Sequence, residues 1–146
     1  MGTNERVAIF LDGSNFYHIL RDPRVNLRGL LQYDYTGLAN WLARGRSVVQ
    51  MKYYVGVVRA KPEDKKGQRM RSDQQRLFAH LKKQGWDIAL GQMMQYDDGV
   101  YHEKGVDVLI ALDILEGAYA SAYDTAILIS SDTDLLPAMA RVQAKK

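Results

Sequence analysis

Cysteine is absent from the 146 residues, which excludes disulfides and thiolate metal sites. Histidine is scarce, and His18, His80 and His102 show no zinc spacing. A bound metal must therefore be held mainly by carboxylate oxygen, the donor set that suits Mg²⁺ or Mn²⁺. No apolar run approaches the roughly 20 residues a membrane-spanning helix needs, so no membrane partner is expected. The start, Met1 to Arg6, leads straight into a predicted strand and carries no secretory pattern. Arg6 also stands where a myristoylation signal wants Ser or Thr. Repeats, low-complexity tracts and interdomain linkers are missing too. One domain over residues 1–146 is expected, and a cytoplasmic setting fits the lack of cysteine.

What the chain does have is a core and a pattern. Hydrophobic residues make up 47% of it, enough for one packed interior. Strands are predicted over Arg6–Leu11, Ser47–Val58, Trp86–Met93 and Thr125–Ile129. Helices are predicted between them. One runs from Ser14 or Asn15 to Leu20, stopped by Pro23. One is capped by Thr36 and buries Leu38, Trp41 and Leu42, stopped by Gly45. One runs from Ser72 to Lys83, one from Val106 to Tyr119, and a last one from Leu135 onward. Residues 24–35 and the basic stretch 59–69 read as irregular, and Asp97-Asp98-Gly99 as a turn or hairpin tip. Alternating strands and helices imply a three-layer α/β, Rossmann-like domain with a mostly parallel central sheet.

Net charge is +3, which permits a nucleic-acid partner without requiring one. The positive charge is uneven: Arg59, Lys61, Lys65, Lys66, Arg69 and Arg71 crowd one stretch. That stretch is an ordinary solvated loop or, beside a phosphodiesterase centre, a backbone clamp. Tyr33, Tyr35, Tyr53 and Tyr54 fit core packing better than base stacking.

Four aspartates lie elsewhere. Asp12 and Asp132 follow buried strands, and in a doubly wound sheet ligands gather outside the strand ends. Asp12 before Gly13 is also an ordinary turn residue. Asp132 and Asp134 flank Thr133, where Asp134 reads as a plain cap of the last helix, yet one cap does not need two aspartates and two serines. Asp107 in a helix's first turn is favoured by the helix dipole, but it sits among Val106, Val108 and Leu109. Asp113 is about 240° round that helix from Asp107, so both cannot face one metal. Ser14 and Asn15 are placed to orient a carboxylate or phosphate. Lys104 is placed to hold a phosphate or to be a plain surface lysine.

Three motifs carry a resemblance. They are residues 7–16 with Asp12-Gly13-Ser14-Asn15, residues 104–108 with Asp113 following, and residues 126–137 with Ser130-Ser131-Asp132-Thr133-Asp134. In this order they resemble the NYN domain, specifically its LabA-like branch, within the PIN-like nucleases. The resemblance runs from about residue 6 to the C-terminus. It implies a metal-dependent ribonuclease using Mg²⁺ or Mn²⁺, with Asp12, Asp107, Asp132 and Asp134 as catalytic metal ligands. Asn15 and Ser130 match positions that shape that site. The family usually has glycine where Ser131 stands, and a side chain there is expected to narrow phosphate approach. The family also continues past this last helix, so a closing strand is expected beyond it.

RNA is the expected substrate, and a homodimer is a further partner expectation. Hydrolysis by metal-activated water would leave a 5′-phosphate and a 3′-hydroxyl. Repulsion within the acidic cluster should raise the pKa of at least one member. Two other readings stand beside this one: a binding module for RNA or protein that does not cleave, and a metal-dependent phosphatase. A haloacid-dehalogenase-type phosphatase wants an aspartate at position 14, where this chain has Ser14.

Overall fold

The computed structural model describes residues 4–20, 22–25, 31, 33–95 and 101–145. The turn expected at Asp97-Asp98-Gly99 and half of the irregular stretch 24–35 lie outside them.

Strand β1 (Arg6–Asp12) is the most apolar segment, and burial on both faces places it inside the sheet. It pairs in parallel with β2 (Ser47–Val57) on one side and with β5 (Thr125–Ile129) on the other. β2 pairs in parallel with β3 (Asp87–Gln95), and β4 (Tyr101–Lys104) returns antiparallel along β3. The order is β4-β3-β2-β1-β5. Strand order therefore reverses at β1, where a doubly wound sheet opens a crevice.

Side chains alternate along β1 and feed two cores. Val7, Ile9 and Leu11 meet α1 (Gly13–Leu20), α2 (Tyr35–Ala43) and α3 (Lys65–Lys83) through Phe16, Leu20, Tyr35, Ala39, Leu77, Phe78 and Leu81. Ala8 and Phe10 face α4 (Val106–Tyr119) and α5 (Leu136–Lys145) through Ile110, Ile114, Ala118 and Val142. Tyr53 and Tyr54 are buried, one in each core, as packing residues.

Three local expectations are corrected. The basic stretch is not all loop, because α3 begins at Lys65. The Asp64 carboxylate caps it by accepting the Gly67 N–H at 2.9 Å. Its first two turns are too charged to show apolar periodicity. In α2 the inward face is Tyr35, Ala39 and Ala43, and Trp41 is 71% exposed. Asp34, not Thr36, caps that helix through the Gly37 N–H at 2.8 Å. Thr36 instead donates its hydroxyl to Gln84 and accepts the Trp86 indole N–H.

Candidate metal centre at the strand ends

Asp12 ends β1 with no linker before α1, and Gly13 makes that junction fit. A Cβ at Gly13 would lie 2.6 Å from the Tyr54 carbonyl oxygen and as close to the Tyr53 ring. Asp12 is 7% exposed, the buried charged residue among the described core. Its Oδ1 accepts the Asn15 N–H at 3.3 Å, and its Oδ2 accepts the Ser130 hydroxyl at 3.0 Å. Ser130 Oγ in turn accepts the Asp132 N–H at 3.0 Å, and Asp132 Oδ1 accepts the Asp134 N–H at 2.9 Å. One line of hydrogen bonds thus ties the end of β1 to the turn after β5. Asp132, rather than Asp134, caps the single 3-10 turn Thr133–Leu135 that precedes α5.

Asn15 and Ser131 fix the same turn from outside. Asn15 Nδ2 donates to Ser131 Oγ at 2.6 Å, and the Ser131 N–H donates to Asn15 Oδ1 at 3.1 Å. Both polar atoms of the Asn15 amide are used this way. The Ser131 hydroxyl, expected to narrow phosphate approach, is turned to Asn15.

Asp107 arrives from the other side of the crevice, in the first turn of α4. Gly105, at φ 81°, turns the chain from β4 into the helix, a left-handed conformation that favours glycine. Gly91 on β3 lets this corner dock. A Cβ at Gly91 would press on Val106 Cγ2 and lie 2.8 Å from the Lys104 carbonyl oxygen.

Carboxylate oxygens of Asp107, Asp132 and Asp134 all lie within 4.8 Å of one another. Asp107 and Asp134 are exposed, and Asp132 is half-buried. Asp12 lies outside that close trio but feels the charges of Asp132 and Asp107. Its carboxyl pKa is raised, first by burial, with those two charges adding to the rise. Hydrogen bonds from Asn15 and Ser130 oppose the rise. The rise expected from mutual repulsion therefore exists, but burial leads it. Among the described residues, none of the four ion pairs uses these four aspartates.

Three carboxylates this close without a cation repel one another, and all their donor atoms are hard oxygens. The set fits Mg²⁺ or Mn²⁺ and does not suit a soft metal. Lys104 ends β4, exposed, three residues before Asp107, and Ser14 lies half-buried in the first turn of α1.

Asp113 does something else. Its Oδ2 accepts Lys52 Nζ at 2.6 Å and the Tyr54 hydroxyl at 2.7 Å. Burial, then the Asp113 hydrogen bond, drives the Tyr54 pKa far up, so Tyr54 stays a donor. This contact fastens α4 to β2, six residues on from Asp107. Sequence reasoning missed Lys52 and Gly91, and the contacts that Tyr54 and Ser131 make. The Asn15–Ser131 and Lys52–Asp113 pairs join residues far apart in the chain, which no spacing rule reveals. Gly91 alone left a signal, as a glycine inside a strand.

The class is thus defined: a doubly wound α/β domain with an acidic centre at its topological switch point. Residues 6–146 match the NYN domain family, and the chain belongs to it. NYN domains are part of the PIN-like nuclease superfamily. A comparison with curated proteins returns no match. Among solved structures, the chain is similar to a protein of unknown function from Vibrio parahaemolyticus. Identity is 27% and the TM-score 0.65, over 99% of this chain and 79% of that one.

Proposed function

We propose that this domain is a metal-dependent ribonuclease of the LabA-like NYN branch, cutting RNA phosphodiester bonds with Mg²⁺ or Mn²⁺. The observation that carries the reading is the close trio of Asp107, Asp132 and Asp134 at the switch point of an NYN fold. A divalent cation, when bound, supplies Lewis-acid charge for a phosphoryl oxygen and makes water a better nucleophile.

The chain's own groups do the rest. Asp107, Asp132 and Asp134 would hold the cation. Asp12, oriented by Asn15 N–H and the Ser130 hydroxyl, adds negative charge behind them. Asn15 keeps the turn after β5 in place through both amide atoms. Lys104 offers positive charge to a phosphate of the substrate, and Ser14 a hydroxyl. The products would carry a 5′-phosphate and a 3′-hydroxyl.

The test is incubation of a mixed RNA panel with Mn²⁺, Mg²⁺ or EDTA, beside Asp132→Asn. Cleavage with metal that disappears with EDTA and in the variant supports the reading. No cleavage by the wild type, or equal cleavage by the variant, sinks it.

A further inference from the structure

Helix α3 is 19 residues long, and four of its seven lysines and arginines fall in a line. At roughly 100° per residue, Lys65, Arg69, Arg76 and Lys83 fall within about 40° of one another around the helix. The buried residues Gly67, Leu77, Phe78 and Leu81 occupy the opposite side. All four cations are exposed, and none forms an ion pair among the described residues. Asp73 is the single acidic residue of the helix and flanks the row, about 40° beyond Arg69. The row is about 27 Å long at a rise of about 1.5 Å per residue.

Its position follows from topology. Segment 58–64 leaves the C-terminal end of β2, which runs parallel to β1. The first turn of α3 therefore starts near the C-terminal end of the parallel strands, the end that holds Asp12 and the acidic trio. Arg59 and Lys61 lie exposed in that connection. Pro62, Lys65, Gln68 and Arg69 line an open concavity there. Positive charge thus leads away from the metal centre along one helix.

We infer that the Lys65–Arg69–Arg76–Lys83 row is a track for the phosphate backbone of single-stranded RNA, holding the strand on one side of the cleavage centre. The inference rests on the nuclease reading for the identity of its ligand. A repeating anionic backbone matches a straight row of cations, and such contacts need no base recognition. An anionic membrane is the poorer match, because a helix that lies in a membrane needs its apolar face free, and here that face is in the core.

The experiment measures binding of a labelled single-stranded RNA by the Asp132→Asn chain in EDTA, over a range of salt. In that background, Arg69→Ala/Arg76→Ala is compared with Arg71→Ala/Lys82→Ala. The second pair removes the same charge from the same helix, about 100° or more away from the row by the same helical geometry. Circular dichroism checks that both fold. The row variant should bind about tenfold more weakly, and its salt slope should fall by about 1.4, the single-strand value for two phosphate contacts. The control variant should change little. Equal loss in both variants, no loss in the row variant, or no RNA binding by the parent overturns the track. So does binding to anionic vesicles that outcompetes RNA through the same row. Metal-dependent cleavage by the wild type is scored separately. Cleavage without dependence of binding on the row overturns the track and leaves the nuclease. Row-dependent binding without cleavage overturns the nuclease and leaves an RNA-binding surface.

Discussion

Asp113 and the trio Asp107, Asp132 and Asp134 put carboxylates beside the same helix under opposite conditions. Asp113 has a lysine and a phenol on one oxygen, so its charge is met inside the fold. Within the trio, Asp132 Oδ1 accepts the Asp134 N–H, and none of the four ion pairs among the described residues reaches these carboxylates. A carboxylate that serves the fold is paired where it is partly buried, because leaving it unpaired there costs stability. Carboxylates gathered at a sheet's switch point without such a partner leave a charge for something else to meet. The difference separates the residues that build α4's seat from the residues that would act at its end.

The largest effect should come from Asp132→Asn. It removes a charged oxygen from the trio and is expected to lower metal-dependent RNA cleavage by roughly 10³-fold or more. Stability in denaturant should hardly fall, because asparagine retains a cap oxygen for the Asp134 N–H. Asp113→Asn should show the reverse order of effects. It leaves Lys52 without its partner at a half-buried site, for a loss of about 1–3 kcal/mol in urea melts, discounted for partial solvent screening. Cleavage by the folded fraction should persist at a reduced rate. If Asp113→Asn abolished cleavage without loss of stability, the division between the two groups of carboxylates would be wrong.

Gly91→Ala sharpens the comparison from the backbone side. The new methyl presses on Val106 and the Lys104 carbonyl, an overpacking cost of about 1–3 kcal/mol. It should also weaken Mn²⁺ binding, because the same corner carries Asp107. Unchanged Mn²⁺ affinity in a destabilised variant would detach Asp107's position from that corner.

Asp12→Asn should have the smallest effect on stability, and an opposite sign. Its folded-state pKa is raised, so the folded chain holds that proton more tightly than the unfolded chain does. Stability from this group is therefore greatest below the ordinary carboxylate range and falls as pH rises toward the folded value. At neutral pH the metal-free Asp12→Asn chain should melt slightly higher than wild type, and the gap should close in acid. Thermal melts in EDTA across pH check this; a lower melting temperature at neutral pH would count against it.

Much of the fold was legible because the strands are apolar and two helices, α2 and α3, stop at Gly45 and Gly85. Residues 106–119 and 125–129 match the predicted helix and strand end to end. The start of α3 was hidden because Lys65 to Arg71 are solvated and make no apolar stripe. Trp41 misled because hydrophobicity alone does not say which side of a short helix faces inward. The acidic cluster was legible through strand-end logic, and its order of importance was not. Asp134 read as the plainest helix cap, yet Asp132 takes that bond and Asp134 joins the trio. That exchange depends on the Ser130 and Asn15 contacts, which exist only once β1 and β5 lie side by side.

The central claim is that Asp107, Asp132 and Asp134 bind one divalent cation together. Calorimetric titration of Mn²⁺ into the metal-free chain, beside Asp107→Asn and Asp113→Asn, tests it most directly. The account predicts saturable binding by the wild type, its loss in Asp107→Asn, and its retention in the folded Asp113→Asn chain. Absence of binding by the wild type, or equal binding by Asp107→Asn, would contradict it.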